Sequence, residues 1–84
     1  MNNINVNIFP NPTENTATLN INLSKSSDLM IEIININGQV LSVLNDSNVL
    51  NNQYTLNTSE MPSGLYIIRI KAGSETAAYR LVKK

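Results

Sequence analysis

Ser63-Gly64-Leu65-Tyr66-Ile67-Ile68-Arg69-Ile70-Lys71-Ala72 carries the longest clean β pattern in the sequence. β-Branched and aromatic residues alternate through it with no helical period. Tyr66, Ile68, Ile70 and Ala72 fall on one face, and Leu65, Ile67, Arg69 and Lys71 on the other. A strand that is apolar on one face and half apolar on the other suits the middle of a sheet. The preceding Met61-Pro62-Ser63-Gly64 is turn chemistry, with Pro fixing one φ and Gly free to take φ > 0. Ala72-Gly73-Ser74-Glu75 turns the chain back, and Thr76 to Lys83 forms a closing strand.

Working outward towards the N-terminus, Gln53 to Asn57 reads as a short strand with Tyr54 and Leu56 inward. Asn45 to Asn52 reads as a polar loop interrupted by Val49-Leu50. Gln39 to Leu44 is a returning strand, entered through Asn37-Gly38, a dipeptide that favours a type I′ hairpin turn with φ > 0 at both positions. Leu29 to Ile36 is apolar on nearly both faces around Glu32. Either both faces are covered or a bulge near Ile33-Ile34 resets the register. Ser24 to Asp28 reads as a loop. Ala17, Leu19, Ile21 and Leu23 alternate with polar residues in the cleanest in/out strand of the chain. Ile4, Val6 and Ile8 alternate with Asn5 and Asn7 up to Phe9, where Pro10-Asn11-Pro12 stops the ladder for want of N–H donors. The result is an all-β chain of about seven strands at roughly 12-residue spacing, the pattern of an antiparallel β-sandwich.

Eighty-four residues make one domain. A chain this short buries only ~60–65% of its unfolded surface, so its core is thin. There is no cysteine and no histidine, which removes disulfides, the commonest metal ligand and the commonest general base together. Net charge is zero, so no overall field draws the chain to nucleic acid or a membrane. The distribution is uneven: Arg69, Lys71, Arg80, Lys83 and Lys84 face only Glu75 in the last sixteen residues, while Lys25 stands against Glu14, Asp28, Glu32, Asp46 and Glu60 before them. The C-terminal end is a basic tip on a mildly acidic body. It serves either as edge protection or as a recognition surface for an acidic partner. Fraying is expected at Lys83 and Lys84, with few contacts depending on them.

Catalysis finds few candidates. A nucleophile needs an activating base within hydrogen-bond reach, and the six acids are dispersed through expected loops and strand exteriors. Asp46-Ser47-Asn48 lacks most ligands of a Ca²⁺ loop, and no Gly-rich phosphate loop exists, so no cofactor or metal is expected. RNA stacking fails because Tyr66 lies on the opposite face from Arg69 and Lys71. Membrane insertion is not expected, since no apolar run approaches the ~20 residues needed to span a bilayer. Tyr66 itself suits a core aromatic with its hydroxyl bonded near the strand edge.

Ile8-Phe9-Pro10-Asn11-Pro12 near the start, Asn35-Ile36-Asn37-Gly38-Gln39-Val40 at the middle turn, Met61-Pro62-Ser63-Gly64-Leu65-Tyr66 and a closing Arg80-Leu81-Val82-Lys83-Lys84 follow one another in a recognisable order. Together they resemble the type A C-terminal sorting domain of the type IX secretion system, also called the Por secretion system tail domain, over residues 6 to 84. Phe9 stands where that family often has Tyr, and Arg80 where it often has Lys.

The resemblance implies an immunoglobulin-like β-sandwich at the end of a larger secreted protein of a Bacteroidota-type bacterium. On this expectation Met1 is an added start, and the leader sits at the cargo's distant N-terminus. The domain would be a non-catalytic signal, recognised in the periplasm and carried to the cell surface or beyond. Its partners would be the N-terminally fused cargo and the secretion machinery: an outer-membrane translocon, a shuttle protein and a sortase-like peptidase that commonly removes it. The family's recognition residues carry over to Gly64, Tyr66, Arg80, Lys83 and Lys84. Pro10, Asn11, Pro12, Asn37 and Gly38 match motif positions with a structural role. The rival from another class is an extracellular accessory module that binds glycan or spaces domains. A glycan module would need exposed aromatic platforms, and of Phe9, Tyr54, Tyr66 and Tyr79 at least two read as core.

Overall fold

The computed structural model describes residues 3–84. Met1, expected above to be an added start, lies outside the described residues. Among those described, five strands form: β1 (Ile4–Phe9), β2 (Thr16–Asn35), β3 (Val40–Asn57), β4 (Gly64–Ala72) and β5 (Glu75–Lys83). All pairings between them are antiparallel within one sheet.

β2 is the spine. One of its edges pairs with β1 along Thr18–Leu23 and then with β4 along Leu29–Asn35. Its other edge pairs with β3 along most of its length. β5 pairs with β4 and closes the hairpin. Ala17, Leu19, Ile21, Leu23, Leu29, Ile31 and Ile33 are all buried and share one parity, so a single face of β2 stays inward along the whole strand. Tyr66, Ile68, Ile70, Ala72 and Leu81 complete the same cluster from β4 and β5, and Val49, Tyr54 and Leu56 from β3. With one sheet and one core, the sheet must curl over its own inner face, and Thr13 bridges to Lys83 where the curl brings its two margins together.

This corrects the expected count of about seven strands to five, in one curled antiparallel sheet. The seven expected segments lie along the five strands, because Ser24–Asp28 and Asn45–Asn52 are strand rather than loop. Polar side chains do not interrupt a ladder when they point to water. The register shifts between Asn22 and Ser27 and between Ser27 and Leu29 bend the strand instead of breaking it.

Two local expectations also meet the structure. The register shift at Ile33/Ile34 lies against β3, where Ile33 faces Ser42, Ile34 faces Val40 and Leu41 is left without a partner. Against β4 the same residues stay in step. Both faces of this part of β2 are covered, since Glu32 and Ile34 on the outer side are as well shielded as the core. The Asn37-Gly38 turn is not of type I′: only Gly38 has positive φ, at 83°. The loop closes by Gly38 N–H donating to the Asn35 carbonyl and Asn35 N–H donating to the Gln39 carbonyl, both at 3.0 Å. Asn35 decides this form, because its Oδ1 accepts from the N–H groups of Asn37 and Gln39. Ile36 is thereby turned out of the strand and exposed.

On the outer face, Glu32 sits directly opposite Arg69, and Arg69 Nε donates to Glu32 Oε1 at 2.8 Å. The Arg69 hydrogen bond, reinforced by the charges of Arg69 and Lys71, holds the Glu32 carboxyl below its ordinary value against the opposing effect of burial.

Candidate functional site

Cross-strand register brings the residues singled out in the sequence to one end of the β4–β5 hairpin. Gly64 pairs with Lys83, Leu65 with Val82, Tyr66 with Leu81 and Ile67 with Arg80. Asn35 at the end of β2 lies opposite Tyr66, so the Asn37-Gly38 turn opens at this same end.

Tyr66 is 5% exposed, its ring inside the core cluster. Its hydroxyl donates to the Pro62 carbonyl and ties down the turn that delivers Gly64. Gly64 adopts φ 148°, with open space where a side chain would stand. Tyr66 and Gly64 therefore shape the turn, while Arg80, Lys84 and, half-buried, Lys83 supply the charge. The Lys84 Nζ lies 3.6 Å from Glu14 in an exposed ion pair, a kind of contact that contributes little in water. Beside it is an open depression of about 390 Å³ between the Pro10–Pro12 segment, Thr16 and Lys84.

The Pro10-Asn11-Pro12 segment does more than end β1. Its two prolines have no N–H, so the ladder is continued by a side chain. Asn11 Nδ2 donates to the Arg80 carbonyl at 2.9 Å, and the Val82 N–H donates to Asn11 Oδ1 at 2.9 Å. The carboxamide thus stands in for a peptide group on the edge of β5. Thr13 resumes with its backbone: its N–H donates to the Val82 carbonyl at 2.8 Å, and the Lys84 N–H donates to the Thr13 carbonyl at 2.9 Å. The expectation of a frayed end is corrected here, because β5 runs to Lys83 and Lys84 is held by Thr13.

A buried polar link joins this segment to the turn before β4. Thr13 Oγ1 donates to the Thr16 carbonyl at 2.7 Å and lies 3.1 Å from Thr58 Oγ1. With the Thr13 hydrogen so used, Thr58 is the donor between the hydroxyls. The Thr58 N–H donates to the Asn15 carbonyl, and the Met61 N–H to the Thr58 carbonyl. Opening segment, turn and C-terminal strand are therefore one hydrogen-bonded unit.

Sequence reasoning did not single out Thr13 or Thr58 as parts of this end, and named Leu65 and Val82 only within their motifs. The two threonines look like ordinary turn residues, and nothing in their spacing shows that they are wholly buried. Leu65 and Val82 had a usable signal: they are apolar at outward-facing positions, opposite each other, and remain 38% and 39% exposed. They form a small apolar step beside the basic residues.

The acidic candidate at Asp46-Ser47-Asn48 lies at the opposite end of the sheet, bordering a depression of about 490 Å³ with Asp28 and Lys71. Its carboxylate is committed to local structure: Oδ2 accepts from the Tyr54 hydroxyl at 2.9 Å and the Asn52 amide at 3.3 Å, and Oδ1 accepts from the Ser47 N–H. Burial, followed by this bond to Asp46, raises the Tyr54 hydroxyl above its ordinary value. Among the described residues no group of three or more His, Cys, Asp or Glu gathers where a metal ion could be held.

No curated protein matches the chain. Among solved structures, the crystal structure of dimeric latent PorU from Porphyromonas gingivalis is similar, with a TM-score of 0.72 at 17% identity. The match covers 99% of this chain but 9% of that one, so the chain corresponds to a small fraction of that protein's length. At this identity the likeness concerns the fold. The family model described as the secretion system C-terminal sorting domain matches residues 7–84. The chain belongs to the secretion system C-terminal sorting domain family, whose members act as C-terminal sorting signals.

Proposed function

We propose that the chain is the tail of a larger secreted protein and that its basic end, built by β5 and the opening segment, is the part read by the type IX secretion machinery. The carrying observation is the convergence of Pro10-Asn11-Pro12, Gly64-Leu65-Tyr66 and Arg80–Lys84 at one end of the sheet, although they are separated in sequence. Arg80 and Lys84 offer charge to an acidic partner on the face where Leu65 and Val82 offer apolar contact, and Lys83 adds charge from the other face. Gly64 and Tyr66 act through the turn. The domain is non-catalytic in this reading. It passes through the periplasm as a folded signal, engages an outer-membrane translocon, a shuttle protein and a sortase-like peptidase, and leaves the cargo at the surface or outside. The accessory-module reading is less well supported, since Tyr54 and Tyr66 are buried and offer no stacking platform.

The test fuses residues 1–84 to a periplasmic reporter in a host that has the secretion system. The reporter should appear outside the cell. Retention of the intact, folded fusion in the periplasm, with an established sorting domain working in parallel, would reject the assignment.

A further inference from the structure

We propose that Asn11 is a positioning residue for the sorting signal: its carboxamide holds the C-terminal basic strand in the extended register in which a partner reads it. The inference rests on the reading above that the basic end is what is recognised.

Asn11 reaches across 69 and 71 positions to bond the backbone of Arg80 and Val82. Both bonds fall on the edge of β5 that β4 does not use. That edge has three anchors: the Asn11 side chain, then the Thr13 N–H, then the Thr13 carbonyl. The flanking prolines explain why a side chain is used, since neither Pro10 nor Pro12 can donate. An amide side chain supplies one donor and one acceptor in nearly the geometry of a peptide group.

Extended backbone from Arg80 to Lys84 advances ~3.3 Å per residue, which sets the two alternate, same-side positions ~13 Å apart with Val82 between them. A charge pair at fixed spacing around an apolar residue is a pattern that a rigid acidic partner can match without first ordering it. Without the Asn11 bonds, Arg80 would be held along its β4 edge alone, and the same charges would be present with a less fixed spacing. Composition would be unchanged and the signal blurred. Thr13 keeps its two backbone bonds when Asn11 is altered, so loosening should stay local to the end of β5.

The experiment compares Asn11→Ala with Lys83→Ala/Lys84→Ala in two readouts: hydrogen exchange of individual amides in the 84-residue chain, and export of the reporter fusion. In Asn11→Ala the amides of Ile68 and Ile70 should keep their protection, while that of Val82 should exchange at least ~10-fold faster, as expected when an element opens locally. Export should fall to the level of the double lysine variant, although every charge is intact. Loss of protection at Ile68 and Ile70 would make Asn11 a residue of the fold at large and overturn the positioning role. Unchanged Val82 exchange would overturn it too. So would normal export of Asn11→Ala beside impaired export of the lysine variant, which leaves the reading of the basic end standing. Normal export of the lysine variant itself would remove that reading, and the positioning role with it.

Discussion

Thr13 and Thr58 lie 45 positions apart, and their hydroxyls meet at 3.1 Å with neither residue exposed to solvent. The two are not equivalent. Thr13 gives its hydrogen to the Thr16 carbonyl and accepts from Thr58, whereas Thr58 only donates. Thr58→Val keeps the shape and leaves the Thr13 bond to Thr16 in place, so it should cost about 0.5–1.5 kcal/mol. Thr13→Val strands both the Thr58 donor and the Thr16 acceptor and should cost about 1–3 kcal/mol. Denaturant unfolding of both single variants and the double variant measures this. The double variant should fall short of the sum, because removing Thr58 as well eliminates one stranded group. Equal costs for the two single changes would show that the donor assignment is wrong.

Acid should expose the Glu32–Arg69 pair. Hydrogen bonding to Arg69 lowers the Glu32 carboxyl below its ordinary value, so its contribution is present above the unfolded value of about 4.3 and is lost as pH falls through the lower folded value. With no histidine in the chain, side-chain titration leaves stability flat across about pH 6–8. Glu32→Gln should melt below the parent at neutral pH, and the gap should close as pH falls below about 4. Thermal melts from pH 7 to 3 make the comparison. A gap that persists undiminished at the acid end would place its origin in packing rather than in the charge.

Gly38 is required for its backbone and not for space. Its φ is 83°, and nothing lies within 4 Å of where a Cβ would stand. Gly38→Ala should cost about 1–2 kcal/mol from the left-handed conformation alone, and Gly38→Asn less, because Asn tolerates that region. Gly38→Val should cost the most, towards 3 kcal/mol. The order Asn, Ala, Val in melting temperature checks this. An unchanged melt for Val would mean that the turn can re-form without a left-handed residue.

The alternation of apolar and polar residues made the inward faces of β2, β4 and β5 readable, because period-two patterning reflects burial directly. What it could not show was where strands end. Ser24–Asp28 and Asn45–Asn52 are mostly polar, and polarity was read as loop, yet both are strand, with most of their side chains in water and Val49 buried in the core. Local dipeptide chemistry likewise pointed to the Asn37-Gly38 turn but not to its form, since the deciding group is the side chain of Asn35. At the candidate site the charged residues were legible and the framework was not. The bonds of Asn11 and the burial of Thr13 depend on partners tens of residues away, and no local pattern records them.

Basic residues at the chain's end were a candidate device against edge-to-edge pairing, but the β5 edge they occupy is covered by Asn11 and Thr13. Among the described strands β1 and β3 each pair with β2 alone, and β3 offers the longer bare edge. Its first residues, Val40-Leu41-Ser42-Val43-Leu44, carry no charge, and Val40, Leu41 and Val43 are exposed. An uncharged, exposed apolar edge is a template for pairing with another chain. Val43 lies directly opposite Glu32, so Val43→Lys places a cation on the edge beside an existing carboxylate and should be tolerated by the fold. Light scattering at high concentration should show less self-association for Val43→Lys than for the parent, and none added by Lys83→Ala/Lys84→Ala. The opposite result, with the lysine variant aggregating and Val43→Lys unchanged, would return edge protection to the basic end and leave β3 adequately guarded by its twist.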